Sequence, residues 1–346
     1  MKISSHQPAA MRATHWEISF PVLLAGLALA IVVASGIGLV AERISATAVS
    51  GFLTLFETDP DTAMAILLEV RLPRILLGAM VGATLGLSGA ALQGWLRNPL
   101  AEPGLIGASA AAALGAVIAF YFGLGALSQY ALPIGGVIGA MAGLGILMMM
   151  VGRDPSVLTV ILGGVAVTAF AGALTQLALN LAPSPYATLE VITWMMGSLA
   201  NRSFDHVWLA LPLTIVGWGL LAGTGRALDA LTVGEDAARS MGVNLNRLRW
   251  RVVFGVGLSV GAAVSVSGVI GFVGLVIPHL LRPLVGFMPS RLLPASALGG
   301  AALVLFSDLL VRYLSPGQEL KLGVVTALIG APFFLVMLLE VRKRGQ

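Results

Sequence analysis

The sequence predicts an all-α membrane protein of about ten transmembrane helices, and three observations carry that prediction. Of 346 residues, 58% are apolar and only 10% are charged, too little polar surface to coat a water-soluble globule of this size. The uncharged residues gather into runs of crossing length, about 20 residues at roughly 1.5 Å of rise each. The basic residues behind the net charge of +4 are scattered through the short gaps between those runs, a pattern of membrane orientation and not of nucleic-acid binding. Cysteine is absent, which excludes disulfides, thiolate metal sites and thiol nucleophiles.

Residues 18–40 form the first span, longer than the apolar stretch of a secretory leader and followed by further spans, so it reads as uncleaved. Residues 75–96 form the second. The run 103–152 has no charge and breaks near Gly123 to Pro133, giving the third and fourth. Residues 155–189 and 207–225 supply the fifth and sixth, and 226–251 is the one long polar interruption. The run 252–281 is too long for one upright helix and too short for two. With Gly and Pro breaking GFVGLVIP, it reads as one full helix and one short one. Residues 291–314 and 322–341 complete ten spans in a single permease domain, 1–346. An even count places both termini on one side. With that side cytoplasmic, the inner gaps hold 14 of the 20 Lys and Arg residues, including Lys2, Arg12 and the tail Arg342, Lys343, Arg344.

An offset of 179 lays Gly82, Ala83, Ser88, Gly89 and Pro99 over Gly261, Ala262, Ser267, Gly268 and Pro278. It pairs the second span with the seventh, five crossings away and therefore inverted. Spans 2–5 and 7–10 then form an inverted repeat, the arrangement that gives transporters two related access states.

Several segments bear on function. RLPR places Arg71 and Arg74 at the outer mouth of the second span, and Arg312 lies near the outer end of the ninth. Each alone reads as a snorkelling anchor, but outward arginines in a cluster run against the positive-inside pattern. Asp308 is spaced to pair with Arg312 along a helix. RNPLAEPGLIG, residues 97–107, is a rigid turn in which Pro99 and Pro103 bracket Glu102. In 226–251, Glu235 and Asp236 open a short helix that Gly242 closes, and Asn244 caps a second short helix ending near Arg247 and Arg249. Two capped helices on the cytoplasmic surface are more order than a spacer needs. Thr175, Gln176 and Asn180 give the fifth span a polar side, for a pathway or for interhelical hydrogen bonds. The lone apolar-segment histidine, His279, makes neither a haem nor a metal site.

The only lysines are Lys2, Lys321 and Lys343, none after a glycine, so the chain has no phosphate-binding G-x-x-x-x-G-K-[ST] loop and is not itself an ATPase. An ion-coupled carrier, the competing reading, normally shows carboxylates deep in its spans, where only Asp308 approaches that description. No paired His, Glu or Ser constellation supports a membrane-embedded enzyme.

RLPR (71–74), the glycine helix ending in Gln93, NPLAEPG (98–104), WMMGSL (194–199), the 234–243 loop, GVIGFVGLVIPH (268–279) and GVVTALIGAPFF (323–334) stand in an order that resembles a known family. It is that of the permease subunits of bacterial ABC importers for iron siderophores, haem and cobalamin, and the resemblance covers nearly the whole chain. It implies a ten-helix permease of the inner membrane that pairs with a second copy of itself. Two ATPase subunits, which bind the ATP and Mg, dock on the loop between spans six and seven. A periplasmic binding protein delivers cargo. The resemblance assigns ATPase docking to Gly234, Glu235, Asp236, Ala238, Arg239, Met241 and Gly242. It assigns binding-protein docking to Arg71, Arg74 and Arg312, with no catalytic residue, metal or cofactor in this chain. The chain departs from the family where Lys321 follows Glu319 and Leu320 in place of the usual proline, a further cation for the outer face.

Overall fold

The structure, a computed structural model, describes residues 19–40, 46–124, 128, 130–152, 156–182, 184–314 and 320–344. Lys2, Arg12 and Glu319 lie outside them. Among the described residues all regular structure is helical. The chain runs α1 (Phe20–Val40), α2 (Ala46–Thr58) and α3 (Pro60–Ala65), then through a π-helical turn (Ile66–Arg71) into α4 (Leu72–Leu96). A 3₁₀ turn (Pro103–Ile106) leads to α5 (Ala108–Tyr121), α6 (Ala131–Val151), α7 (Val157–Asn180), α8 (Pro185–Met195) and α9 (Phe204–Ala222). The polar interruption holds α10 (Gly225–Leu231) and α11 (Glu235–Ser240). After it come α12 (Leu245–Ser267), α13 (Val273–Leu281), α14 (Pro289–Leu314) and α15 (Leu322–Arg344).

The expected spans correspond in order to α1, α4, α5, α6, α7, α9, α12, α13, α14 and α15. Among the described residues, seven helical stretches are long and apolar enough to cross a bilayer by themselves, while α5 and the apolar part of α15 are shorter apolar helices. The short eighth span appears as the nine-residue α13. The backbone breaks before it, from Gly268 (φ +70°) to Phe272 (φ +66°), and Pro278 is carried inside α13 instead of ending it.

The second short helix expected after Asn244 is corrected. Asn244 does cap, its Oδ1 accepting from the Arg247 amide at 2.9 Å, but the helix it starts is α12, which runs unbroken into the seventh span. Nothing between Trp250 and Val252 interrupts a helix, so the arginines ride its first turns. The second ordered piece of the loop is instead α10, fixed where Asp229 Oδ1 accepts from the Ser290 amide at 2.8 Å, at the start of α14. Helices α2, α3 and α8, in the outer gaps, went unread because the count followed only runs of crossing length.

Burial ranks the spans. The most apolar window of α4 is 83% buried and that of α12 78%, against 17% for α1, so α4 and α12 are the central helices and α1 lies at the edge. Small residues make that possible, because lipid supplies no hydrophobic drive between helices and close backbone approach must do the work. A methyl group at Gly82 would strike the Gly300 carbonyl, and one at Gly86 the Ser296 carbonyl, so α4 and α14 touch backbone to backbone. The contacts repeat across the halves. Helix α4 packs on α13 and α14, and α12 packs on α5 and α6, so each packs on the two spans that follow its counterpart. Gly82 meets Gly300 where its counterpart Gly261 meets Ala140.

Candidate functional site

At the C-terminal end of α1, the carbonyls that close the helix have no intrahelical donors, and arginines supply them. Arg312 Nη1 donates to Gly38 O at 3.1 Å, and Arg71 Nη1 donates to Val40 O at 2.9 Å and to Leu39 O. The Arg71 guanidinium also stacks 3.7 Å from the centre of the Phe52 ring. Asp308 receives two arginines at once. Arg74 Nη2 lies 2.8 Å from Oδ1, and Arg312 Nη2 lies 2.7 Å from Oδ2. The expected Asp308–Arg312 pair therefore exists within a larger cluster, and Arg74 is the partner that sequence spacing did not supply. The three sequence-marked cations are thus brought together, tied inward to α1 and Asp308, with Arg74 retaining 17% side-chain exposure.

On the polar loop between α9 and α12, α11 is closed at both ends by glycines that need positive φ, Gly234 (+114°) and Gly242 (+83°). Its end is a Schellman arrangement, the Val243 amide bonding Ala238 O at 3.0 Å and the Gly242 amide bonding Arg239 O at 2.9 Å. Arg239 is held by Asp236 (3.0 Å) and Glu235 (3.3 Å). Ala238 faces inward, fully buried, while Val233 and Met241 stand 71% and 57% exposed. The helix is thus flanked by two exposed apolar side chains and carries a charged rim in which one arginine pairs with two carboxylates.

The three polar residues of α7 are not brought to one place. Thr175 is buried and its hydroxyl donates to Ala171 O of its own helix at 2.8 Å, whereas Gln176 and Asn180, one turn apart, lie exposed on another side. His279 makes an edge contact with Phe333 of α15, 5.6 Å between ring centres, and among the described residues no group of three His, Asp or Glu could hold a metal.

Two arrangements went unseen in the sequence. Gln93, 1% exposed, donates to Gly274 O (3.3 Å) and Leu275 O (3.4 Å) of α13 and accepts from Arg282 Nη2 at 2.6 Å, fastening the inner half of α4 to α13. Only the polarity of Gln93 at the end of a glycine-rich run hinted at it. Further out, three of the ordered motifs converge. The Ser198 amide bonds Ser267 O at 2.8 Å, the Gly323 amide bonds Gly197 O at 3.4 Å, and Phe272 fills the notch left by Gly330. Phe272 holds a left-handed conformation that costs an L-residue about 1–3 kcal/mol, a strain that this seat must offset. On the inner turn, burial without a nearby cation pushes the Glu102 carboxyl above its usual value of 4.5.

A bundle of about ten membrane-crossing helices, joined through glycine contacts and carrying an ordered helix on its polar loop, defines a multi-span transport permease. Residues 16–340 match the model of the FecCD transport family, to which the chain belongs. It is 37% identical over 334 residues to the hemin transport system permease protein HmuU of Yersinia pestis, covering 94% of this chain and 97% of that one. It is 38% identical over 292 residues to the vitamin B12 import system permease protein BtuC of Vibrio cholerae, covering 84% and 87%. A solved structure described as an inward-facing metal-chelate type ABC transporter superposes with a TM-score of 0.80 at 34% identity, covering 92% of this chain and 99% of that one. The chain is a permease subunit of an ATP-binding-cassette importer.

Proposed function

We propose that the protein carries a metal chelate across the bacterial inner membrane from periplasm to cytoplasm, as one of two identical copies with both termini inside. Two separate ATPase subunits bind ATP and Mg and supply the energy. The observation that carries this reading is α11, an ordered helix between the sixth and seventh spans, flanked by the exposed apolar Val233 and Met241. Gly234 to Gly242 form the docking surface, with Ala238 and the Gly242 turn holding its shape. Closure of the ATPase pair moves α11, and its short link through Asn244 passes the movement to central α12.

On the outer face, the region of Arg71, Arg74 and Arg312 receives acidic side chains of a periplasmic binding protein, and long-range attraction steers the encounter. Gln176 and Asn180, exposed on α7, border the pathway, and Thr175 supports that helix from its buried side. Relatives named for hemin, vitamin B12 and ferric dicitrate support a cargo among haem, ferric siderophores and cobalamin. Affinity-tagged chain coexpressed with its neighbouring ATPase tests the docking claim. The ATPase copurifies with wild type, and Met241→Glu together with Val233→Glu abolishes the capture. Undiminished capture by that variant would remove α11 from the interface.

A further inference from the structure

Between the outer ends of α5, α6 and α8, the loop 196–202 and Lys321 lies a cavity of about 960 Å3. Its wall includes Arg202, whose Nε is buried and has no hydrogen-bond partner. The neighbouring acid does not serve it, because Asp205 Oδ2 instead accepts from the Ser203 hydroxyl at 3.4 Å. Arg202 is half-buried, and an arginine cannot relieve an unpartnered donor by shedding its proton, so this Nε–H stays available to an anion. Lys321 lines the same cavity, and among the described residues Glu190 is the one carboxylate in the lining. Trp194 and the 84% exposed Tyr186 add aromatic surface, and Ser198 and Asn201 add hydrogen-bonding groups. The volume lies in the range of small-molecule sites that combine a mostly apolar lining with a few fixed polar groups. Lys321 therefore lies beside a pocket of its own, with Arg202, which the sequence did not single out.

We propose that this outer cavity is a cargo-reading site in which Arg202, seconded by Lys321, binds a carboxylate on the periphery of an anionic chelate while Trp194 and Tyr186 contact its body. The proposal rests on the importer reading and narrows its cargo to chelates bearing free carboxylates. The test uses the chain with its coexpressed ATPase in lipid nanodiscs, titrated with ferric citrate and with cyanocobalamin, whose periphery carries amides in place of carboxylates. Wild type binds ferric citrate saturably and in preference to cyanocobalamin. Arg202→Gln weakens ferric citrate on the order of tenfold or more, the loss of a charged hydrogen bond, and Arg202→Lys restores part of it. Cyanocobalamin is insensitive to either change. No preference in wild type, or an Arg202→Gln variant that binds ferric citrate like wild type or loses both probes equally, overturns the proposal. ATP hydrolysis by wild type with and without the coexpressed subunit judges the importer reading separately, since it requires no chelate chemistry.

Discussion

Asp308 is where a single atom pair matters most. It is 5% exposed as a side chain and accepts from Arg74 of α4 and Arg312 of α14, and Arg312 reaches on to Gly38 of α1. Removing the charge while keeping the shape leaves two guanidiniums without their shared anion and with one accepting oxygen between them, a loss of about 3–5 kcal/mol for a buried pair. Asp308→Asn is therefore expected to lower the thermal midpoint of the purified protein by several degrees, and Arg74→Ala in that background adds far less than in wild type. Full additivity in the double-mutant cycle would mean that the cluster contributes no coupling. Glu102 gives a pH signature with a definite sign. A carboxyl raised above 4.5 in the fold favours the folded state while protonated, so that contribution is fully present below 4.5 and is lost as pH rises through the folded value. Glu102→Gln should flatten the thermal midpoint against pH across that window and raise it at neutral pH. An unchanged profile would mean that Glu102 does not feel its burial.

At the scale of the element, α4 depends on its smallest residues. Gly82 and Gly86 let it meet α14 at backbone distance, and a methyl group at either must push the helices apart. Overpacking of this kind costs about 1–3 kcal/mol. Gly86→Ala should lower thermal stability accordingly, whereas Gly26→Ala on α1, with open space around it, should be neutral. Equal effects at both sites would refute a packing role for the stripe. Helix α11 depends on backbone conformation instead. Gly242→Ala meets no neighbour but must hold φ +83°, and is expected to cost about 1 kcal/mol locally and to reduce ATPase coupling several-fold. Coupling at the wild-type level would show that the Schellman end does not shape the docking surface.

Over the whole molecule, legibility followed range along the chain. Crossing length is a local property, so the ten spans stood out in the sequence. The Asn244 cap and the Gly242 turn did as well, each needing only a few consecutive residues. The partnership of Arg74 with Asp308 spans 234 positions, and that of Gln93 with Arg282 spans 189, and no periodicity announces either. The offset of 179 was the exception. A repeat writes a close-packed glycine into the sequence twice, as Gly82 against α14 and Gly261 against α6 then displayed. The polar loop was misread where local signals conflict, because Arg247 and Arg249 look like a helix end when α12 simply continues past them.

A permease of this kind moves cargo only when a separate ATPase drives it, a dependence that uptake into proteoliposomes reads out. Vesicles carrying the chain with its coexpressed ATPase and binding protein, ATP-loaded on the cytoplasmic side, should accumulate iron chelate. Vesicles carrying the chain alone should not accumulate it under any proton or sodium gradient. Accumulation by the chain alone, driven by such a gradient and indifferent to ATP, would contradict the account and establish an ion-coupled carrier.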